Sequence, residues 1–134
     1  MSMRFSLFPL SVILASAVTV PAIAAGPGYR AEGTFERKGP YSQSAKIIVI
    51  DAPDQFAASF STGISGCGGG VGMNGHARSA SEILFTKKDD SGGLCRITVK
   101  FSPNFRSVKV SEDGCLYWHG ASCDFEGTLK RTSD

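Results

Sequence analysis

Turn-forming residues interrupt this chain every eight to twelve residues from residue 31 onward, and this spacing constrains the fold more than any other feature. Between the Gly, Pro, Asn, Asp and Ser clusters lie eight short runs rich in Val, Ile, Phe and Thr, and no segment shows ten or more residues at helical spacing. The runs lie at 30 to 37, 45 to 51, 56 to 62, 70 to 77, 82 to 88, 95 to 101, 106 to 112 and 124 to 131. This pattern predicts an all-β fold, an eight-stranded antiparallel meander that forms a small barrel or a sandwich.

The first and last runs resemble each other, since "AEGTFER" and "FEGTLKR" share Glu-Gly-Thr in the same phase. Apolar residues two positions either side of Gly33 and Gly127 place both glycines on the core face. Glycine within a strand often marks a bend, and two bent terminal strands are what closure of a barrel requires. A chance similarity over seven residues is the alternative.

Phenylalanines dominate the residues whose phase points them inward. These are Phe35, Phe60, Phe85, Phe101 and Phe125. Five such rings leave little room in a small barrel, which favours a filled interior over a ligand cavity.

The N-terminus has the three parts of a secretory signal peptide: a positive start, an apolar run over residues 5 to 20, and an A-x-A pattern at Ala22 and Ala24. We expect residues 1 to 24 to be removed on export, which leaves residues 25 to 134 as a single β domain. No second apolar run approaches the roughly 18 residues that a membrane-spanning helix needs. The sequence therefore predicts a periplasmic or secreted protein without membrane insertion.

Charge argues against some classes of partner. Removal of the signal peptide takes away only Arg4 among 14 basic residues, so the exported part carries one basic residue more than its 12 acidic residues. Nucleic acids and anionic membranes are bound through many surplus cations. The charge therefore predicts no nucleic-acid partner. We also expect a protein partner, a monomeric domain and no cofactor.

All four cysteines, Cys67, Cys95, Cys115 and Cys123, fall in the exported part, and an even number there predicts two disulfides. In a meander all four lie at one end of the barrel, which we call the rim. Because seven residues separate Cys115 from Cys123, we expect these two to pair, and Cys67 to pair with Cys95. Pairings that join Cys67 or Cys95 to the other two remain open. A four-thiolate zinc site fits less well, because close C-x-x-C pairs are absent.

The rim also carries the residues that we consider candidates for binding, a mixture of aromatic side chains and cations on loops. They are Tyr41, Lys87, Lys88, Tyr117, Trp118 and His119. Three of these stand together in "CLYWHGASC", residues 115 to 123, where at least one ring has to lie at the surface.

Catalysis has less support, and we predict neither catalytic residues nor a metal site. His119 has no serine nearby, and oxidised cysteines cannot form a Cys-His pair. His76 has the opposite phase to Val71 and Met73 and is expected to face outward. "CGGGVGMNGHA" lacks the Gly-Lys-Ser/Thr and the helix of a phosphate-binding loop, so its glycines are expected to let the fourth strand bend or lie against a neighbour.

The C-terminal half of the exported part resembles small exported proteins of Gram-negative bacteria, some of which look like periplasmic lysozyme inhibitors. The likeness rests on "CLYWHGASCDFEGTLKR", "LCRITVKF" and "VKVSEDGC". In the C-type inhibitors, which are eight-stranded barrels with a disulfide, a signature Trp-x-Lys-Gly is followed by Ala. Here Trp118, Gly120 and Ala121 match that signature, the lysine is missing, and the inhibitory Ser-Gly-x-x-Tyr loop has no counterpart.

The resemblance implies a non-enzymatic binding protein, most concretely a lysozyme inhibitor that lodges a rim loop in the enzyme's cleft. The alternative is a lipocalin-like binder of small ligands inside the barrel. If Trp118 is the exposed ring of its loop, Trp118→Ala is expected to leave stability unchanged and to weaken partner binding by about 2 kcal/mol or more.

Overall fold

Eight antiparallel strands close into a single barrel in the computed structural model, which describes residues 15–19 and 25–134. They are β1 (Gly33–Arg37), β2 (Ser42–Asp51), β3 (Gln55–Ile64), β4 (Cys67–Ser79), β5 (Glu82–Lys88), β6 (Leu94–Phe101), β7 (Ser107–Asp113) and β8 (Gly127–Ser133). Short 3₁₀ helices at Gly28–Ala31 and Leu116–Trp118 precede β1 and follow β7. The predicted meander is confirmed, and its closure decides for the barrel over the sandwich.

The predicted signal peptide, residues 1 to 24, lies outside the described residues except for 15–19, which have no regular secondary structure. No helix in the described ranges is long and apolar enough to cross a membrane.

Alternation of apolar and polar residues directs one face of each strand into the barrel. In β6, Cys95, Ile97 and Val99 are fully buried whereas Arg96 and Lys100 are exposed, as the sequence predicts. His76 faces outward as expected. The five phenylalanines with inward phase are all buried, and Phe56 and Phe105 join them.

Aromatic packing fills the barrel from one end to the other. The Phe60 ring lies 5.4 Å from the Phe85 ring and 6.5 Å from the Phe125 ring, measured between centroids. Toward the end opposite the rim, the Phe101 ring stacks on the Phe105 ring at 4.9 Å. Edge and stacked arrangements of this kind add to the free energy gained by burial.

Pairing of β1 with β8 closes the barrel, with a shift of register between Thr34 and Phe35. Gly33 stands at this seam and Gly127 at the start of β8, opposite Val110 of β7, and neither has room for a side chain. A Cβ at Gly33, where φ is +146°, would meet Arg131, and a Cβ at Gly127 would meet the buried amide of Gln43. Both glycines thus face inward as predicted; Gly33 allows β1 and β8 to approach, and Gly127 leaves room for Gln43 of β2.

Arg131 of β8 ties down the end opposite the rim. Its guanidinium donates to the carbonyls of Phe105 at 2.9 Å, Glu32 at 2.6 Å and Arg30 at 2.7 Å. Burial lowers the pKa of Arg131, and the charge is satisfied by these carbonyls. One side chain therefore joins the segment before β1, the β6–β7 turn and β8.

Candidate functional site

Two disulfides fix the rim loop, residues 115–123, to two different strands. Cys115 is bonded to Cys95 of β6, and Cys123 is bonded to Cys67 of β4. All four cysteines lie at one end as predicted, but the expected pairing of Cys115 with Cys123 and of Cys67 with Cys95 is wrong. All four are oxidised, so the thiolate zinc site is excluded as well.

The strand order explains the actual pairing. Strand β5 separates β4 from β6, which puts Cys67 and Cys95 on strands about 10 Å apart, beyond the Cα separation that a disulfide tolerates. Arg96 of β6 is paired with Asp113 of β7, so the chain leaving β7 carries Cys115 directly past Cys95. The loop then crosses the rim, and Cys123 reaches β4.

The rim loop packs into a gap between β4 and β5. These strands pair only between residues 74 and 79 of β4 and residues 82 and 86 of β5, so the first half of β4 lacks β5 as a neighbour. His119 forms an antiparallel bridge with Gly69, and the Gly120 amide donates to the Gly68 carbonyl at 3.2 Å. Gly68 and Gly69 of β4 therefore lie against a neighbour, which is one of the two roles expected of these glycines, and that neighbour is the rim loop.

Trp118 is an anchor of the rim loop and not its exposed ring. The side chain is half-buried against the core, and the Lys87 ammonium lies 5.2 Å from its ring centroid. Lys87 also donates to the Gly72 carbonyl at 3.0 Å and so spans the gap between β5 and β4. We expected a stable Trp118→Ala variant only if Trp118 were the exposed ring of its loop, and this condition is not met.

The exposed tip of the loop consists of Leu116 and Tyr117, whose residues are 65% and 55% exposed. Both lie in the 3₁₀ helix, and the Tyr117 hydroxyl donates to Asp90 Oδ2 in the β5–β6 turn at 3.0 Å. This hydrogen bond is the main reason that the pKa of Tyr117 is raised. Sequence reasoning included Tyr117 and missed Leu116, whose only signal was its place beside the aromatic residues.

The β5–β6 turn that receives Tyr117 is itself ordered by Asp89. This carboxylate accepts from the Ser91 hydroxyl, from the Ser91 amide at 2.8 Å and from the Gly93 amide at 3.0 Å. Hydrogen bonding, first from the Ser91 hydroxyl, lowers the pKa of Asp89. The partner of the tip thus stands on a turn with a defined conformation.

His119 is enclosed beneath the tip, with 6% of its side chain exposed. Its Nε2 lies 2.8 Å from Glu112 Oε1 and its Nδ1 lies 2.7 Å from the Gly120 carbonyl oxygen. Burial by itself lowers the pKa of His119, but the Gly120 carbonyl and the Glu112 carboxylate outweigh burial and leave the pKa raised. Both ring nitrogens are engaged, so His119 presents no free lone pair with which to act as a base.

The remaining predicted residues also lie at the rim. The Tyr41 hydroxyl donates to Asp124 Oδ1 at 3.0 Å and accepts from the Asp124 amide at 2.9 Å, which ties the β1–β2 loop to the chain after the rim loop. Lys88 is exposed at the end of β5. The structure thus brings all six predicted residues to one end. Five of them contact other side chains or the backbone, and Tyr117 and Lys88 are on the surface.

A cavity large enough for a small molecule lies on the outside of the barrel. It measures about 650 Å³ and lies across β2 to β5, with Lys46, Ile48, Ser59, Asn74 and Lys87 among its lining residues. The inside of the barrel is occupied by the phenylalanine side chains.

Comparison with protein-family models, curated proteins and solved structures found no match to this chain. Within the described residues, no group of three or more His, Cys, Asp and Glu side chains is placed to hold a metal ion. The likeness to lysozyme inhibitors therefore stays a prediction from the sequence.

Proposed function

We propose that this protein is an exported, non-enzymatic binding protein that holds a protein partner through the tip of its rim loop. The observation that carries the proposal is the exposure of Leu116 and Tyr117 on a short loop whose two ends are bonded to different strands. A side chain that is already held in place loses little conformational entropy when it binds. Tyrosine is also enriched among the residues that dominate binding energy at interfaces.

The surroundings of the tip suit the edge of a protein interface. Exposed charges of both signs lie on the segments next to the tip: Lys88 and Asp90 on the β5–β6 side, where Asp90 accepts from Tyr117, and Asp113 at the end of β7. An apolar centre within a polar margin is the usual composition of such interfaces. The partner that the sequence resemblance suggests is a lysozyme, into whose cleft the tip would insert.

A binder of small ligands inside the barrel has less support. The interior positions hold buried phenylalanines whose rings contact one another, including Phe60 with Phe85 and Phe35 with Phe101. A ligand would have to displace these rings, at the cost of their packing.

The experiment is a binding measurement with the full chain exported to a bacterial periplasm and purified from it. We expect it to bind and inhibit at least one enzyme of a panel of lysozymes, in surface plasmon resonance and in a cell-wall lysis assay. Leu116→Ala with Tyr117→Ala is expected to weaken binding about thirtyfold or more, as loss of an interface hot spot does. Ile50→Ala is the matched control, because Ile50 is also an exposed apolar residue (59%) but lies at the end of β2 away from the rim.

The lysozyme part of the proposal fails if no enzyme of the panel binds. Capture from envelope extracts then tests the broader part, and only a partner whose capture is lost in the tip variant and kept in the Ile50 variant supports it. A partner bound equally by the wild type and the tip variant would refute the role of the tip.

A further inference from the structure

His119 faces a hydrogen-bond acceptor at each of its ring nitrogens. Glu112 Oε1 lies 2.8 Å from Nε2, and the Gly120 carbonyl oxygen lies 2.7 Å from Nδ1. Neither acceptor has a proton to give, and a neutral imidazole carries only one N–H. Both contacts can be hydrogen bonds only when His119 is the imidazolium.

We propose that His119 is a pH-sensitive latch that fixes the rim loop on β4 when it is protonated and loosens that loop when it loses its proton. The latch is built from groups of three parts of the fold. Glu112 belongs to β7, Gly120 belongs to the rim loop itself, and Gly69 of β4 forms the bridge with His119.

The charges around His119 favour the imidazolium. Glu112 on β7 and Asp124 in the chain before β8 are the carboxylates that act on it, and β4 contributes only glycine backbone at this contact. The ring of Phe125 meets the His119 ring edge to face at 5.2 Å and adds no charge. Burial opposes protonation and the two carboxylates support it, which agrees with the raised pKa of His119.

Loss of the proton breaks one of the two hydrogen bonds. Glu112 Oε2 still accepts from the Phe125 amide at 2.8 Å, so the carboxylate stays in place when His119 loses its positive charge. The two disulfides still hold the ends of the loop, so the change is confined to residues between Cys115 and Cys123. The latch therefore acts on the rim loop and leaves the barrel closed.

The tip lies within three residues of the latch in the chain, and the His119 amide donates to the Leu116 carbonyl at 3.4 Å. A loosened loop has to be ordered again when a partner binds, which reduces affinity. This consequence rests on the proposed function of the tip: binding is expected to be tighter when His119 is protonated and to weaken as pH rises through its pKa.

The latch itself is tested without a partner, on the wild-type chain. Long-range ¹H–¹⁵N spectra report the charge of each imidazole, and the His76→Gln variant identifies the His119 signals because the chain has two histidines. We expect His119 to carry both ring protons at pH 6 and to lose one as pH rises. A neutral His119 at pH 6 would overturn the proposal.

Amide hydrogen exchange supplies the conformational measurement. The Gly120 amide donates to the Gly68 carbonyl. Once His119 is neutral, we expect this amide to exchange about tenfold faster after correction for intrinsic rates, because a charge-assisted hydrogen bond is lost. The His119→Gln variant should lose this pH dependence. The His76→Gln variant is the control and should keep it, because His76 is an exposed residue of β4. Corrected exchange at Gly120 that does not change across the His119 titration refutes the latch.

The two proposals fail in different ways. If His119 titrates and the loop loosens as described while no partner binds, the latch stands and the proposed function does not. If a partner binds through the tip with an affinity that does not change as His119 titrates, the proposed pH regulation of binding is refuted and the binding function stands.

Discussion

Gly69 of β4 lies so close to His119 of the rim loop that a Cβ at Gly69 would stand 2.5 Å from the His119 Cβ and from the Trp118 carbonyl oxygen. Real Cβ atoms do not approach other atoms so closely. The absence of a side chain at this position is what allows the loop to occupy the gap beside β4.

We therefore predict that Gly69→Ala destabilises the protein by about 1–3 kcal/mol, the usual cost of forcing extra atoms into a packed site. Gly72→Ala is the control, because no atom lies within 4 Å of a Cβ at Gly72 on the same strand. Urea unfolding of both variants measures the difference. Equal stability of the two variants would contradict the seating of the loop on Gly69.

The two disulfides are predicted to differ in what they stabilise. Their sequence separations of 56 and 20 residues correspond to about 4 and about 3 kcal/mol in the chain-entropy model. Replacing Cys67 and Cys123 by serine should also release the C-terminal side of the rim loop, which limited proteolysis after Tyr117 or Trp118 would detect. Replacing Cys95 and Cys115 should cost less stability in urea unfolding.

The pairing can be checked directly by mass spectrometry. Trypsin leaves Cys115 and Cys123 in one peptide, since no Lys or Arg lies between them, whereas chymotrypsin cleaves at Tyr117 and Trp118 and separates them. The expected products join Cys67 to Cys123 and Cys95 to Cys115. A peptide in which Cys67 is joined to Cys95 would refute the fold of the rim.

Trp118 and Tyr117 should respond in opposite ways to truncation. Trp118→Ala is predicted to lower the free energy of unfolding by about 2–3 kcal/mol, somewhat less than for a fully buried tryptophan, because the ring packs on the core and under the Lys87 ammonium. Tyr117→Ala should unfold like the wild type and lose partner affinity. Thermal unfolding monitored by circular dichroism separates the two, and a stable Trp118→Ala domain would show that the ring is not an anchor.

Stability should fall as pH rises from about 6.5 through the raised pKa of His119. The pKa of His119 is raised in the folded state relative to about 6.5 in the unfolded chain. Its contribution is therefore fully present below about pH 6.5 and is lost as pH rises through the folded-state pKa. We expect the urea midpoint of the wild type to decrease over this interval, that of His119→Gln to change less, and that of His76→Gln to follow the wild type.

Arg131 is predicted to be the main polar support of the end opposite the rim. Arg131→Met removes the donors to three carbonyl oxygens and should cost about 3 kcal/mol. Lys130→Met is the matched control, since Lys130 is the exposed neighbour on the same strand and its replacement should change stability by less than about 0.5 kcal/mol. Similar losses in both variants, measured by urea unfolding, would contradict this role.

Strand positions and the composition of the core were predictable from the sequence. Each predicted run overlaps one strand, and the phase of Phe35, Phe60, Phe85, Phe101 and Phe125 placed all five inside. The predicted starting points of the first and last runs were less accurate: Arg30 and Ala31 lie in a 3₁₀ helix, and residues 124–126 form part of the rim. Hydrogen bonds from Tyr41 and Gln43 hold that last segment, and both partners are distant in the chain.

The sequence predicted at which end of the barrel the candidate site lies, but not how its side chains are arranged there. The meander put the cysteines, Tyr41 and the rim loop at one end, because successive loops of an up-and-down barrel alternate between its ends. Nothing local showed that Leu116 and Tyr117 would point outward while Trp118 and His119 point toward β4. That choice follows from the 3₁₀ helix between residues 116 and 118 and from the space beside Gly69.

The sequence by itself thus determined the strands, the filled core and the end of the barrel at which the cysteines meet, because side-chain alternation and turn residues act over a few neighbouring positions. The tertiary structure decided which cysteines pair, which aromatic ring is exposed and which carboxylate meets His119. Those outcomes depend on the early end of β4–β5 pairing and on the β5 strand between Cys67 and Cys95. They are distances between segments far apart in the chain, and only the closed barrel sets them.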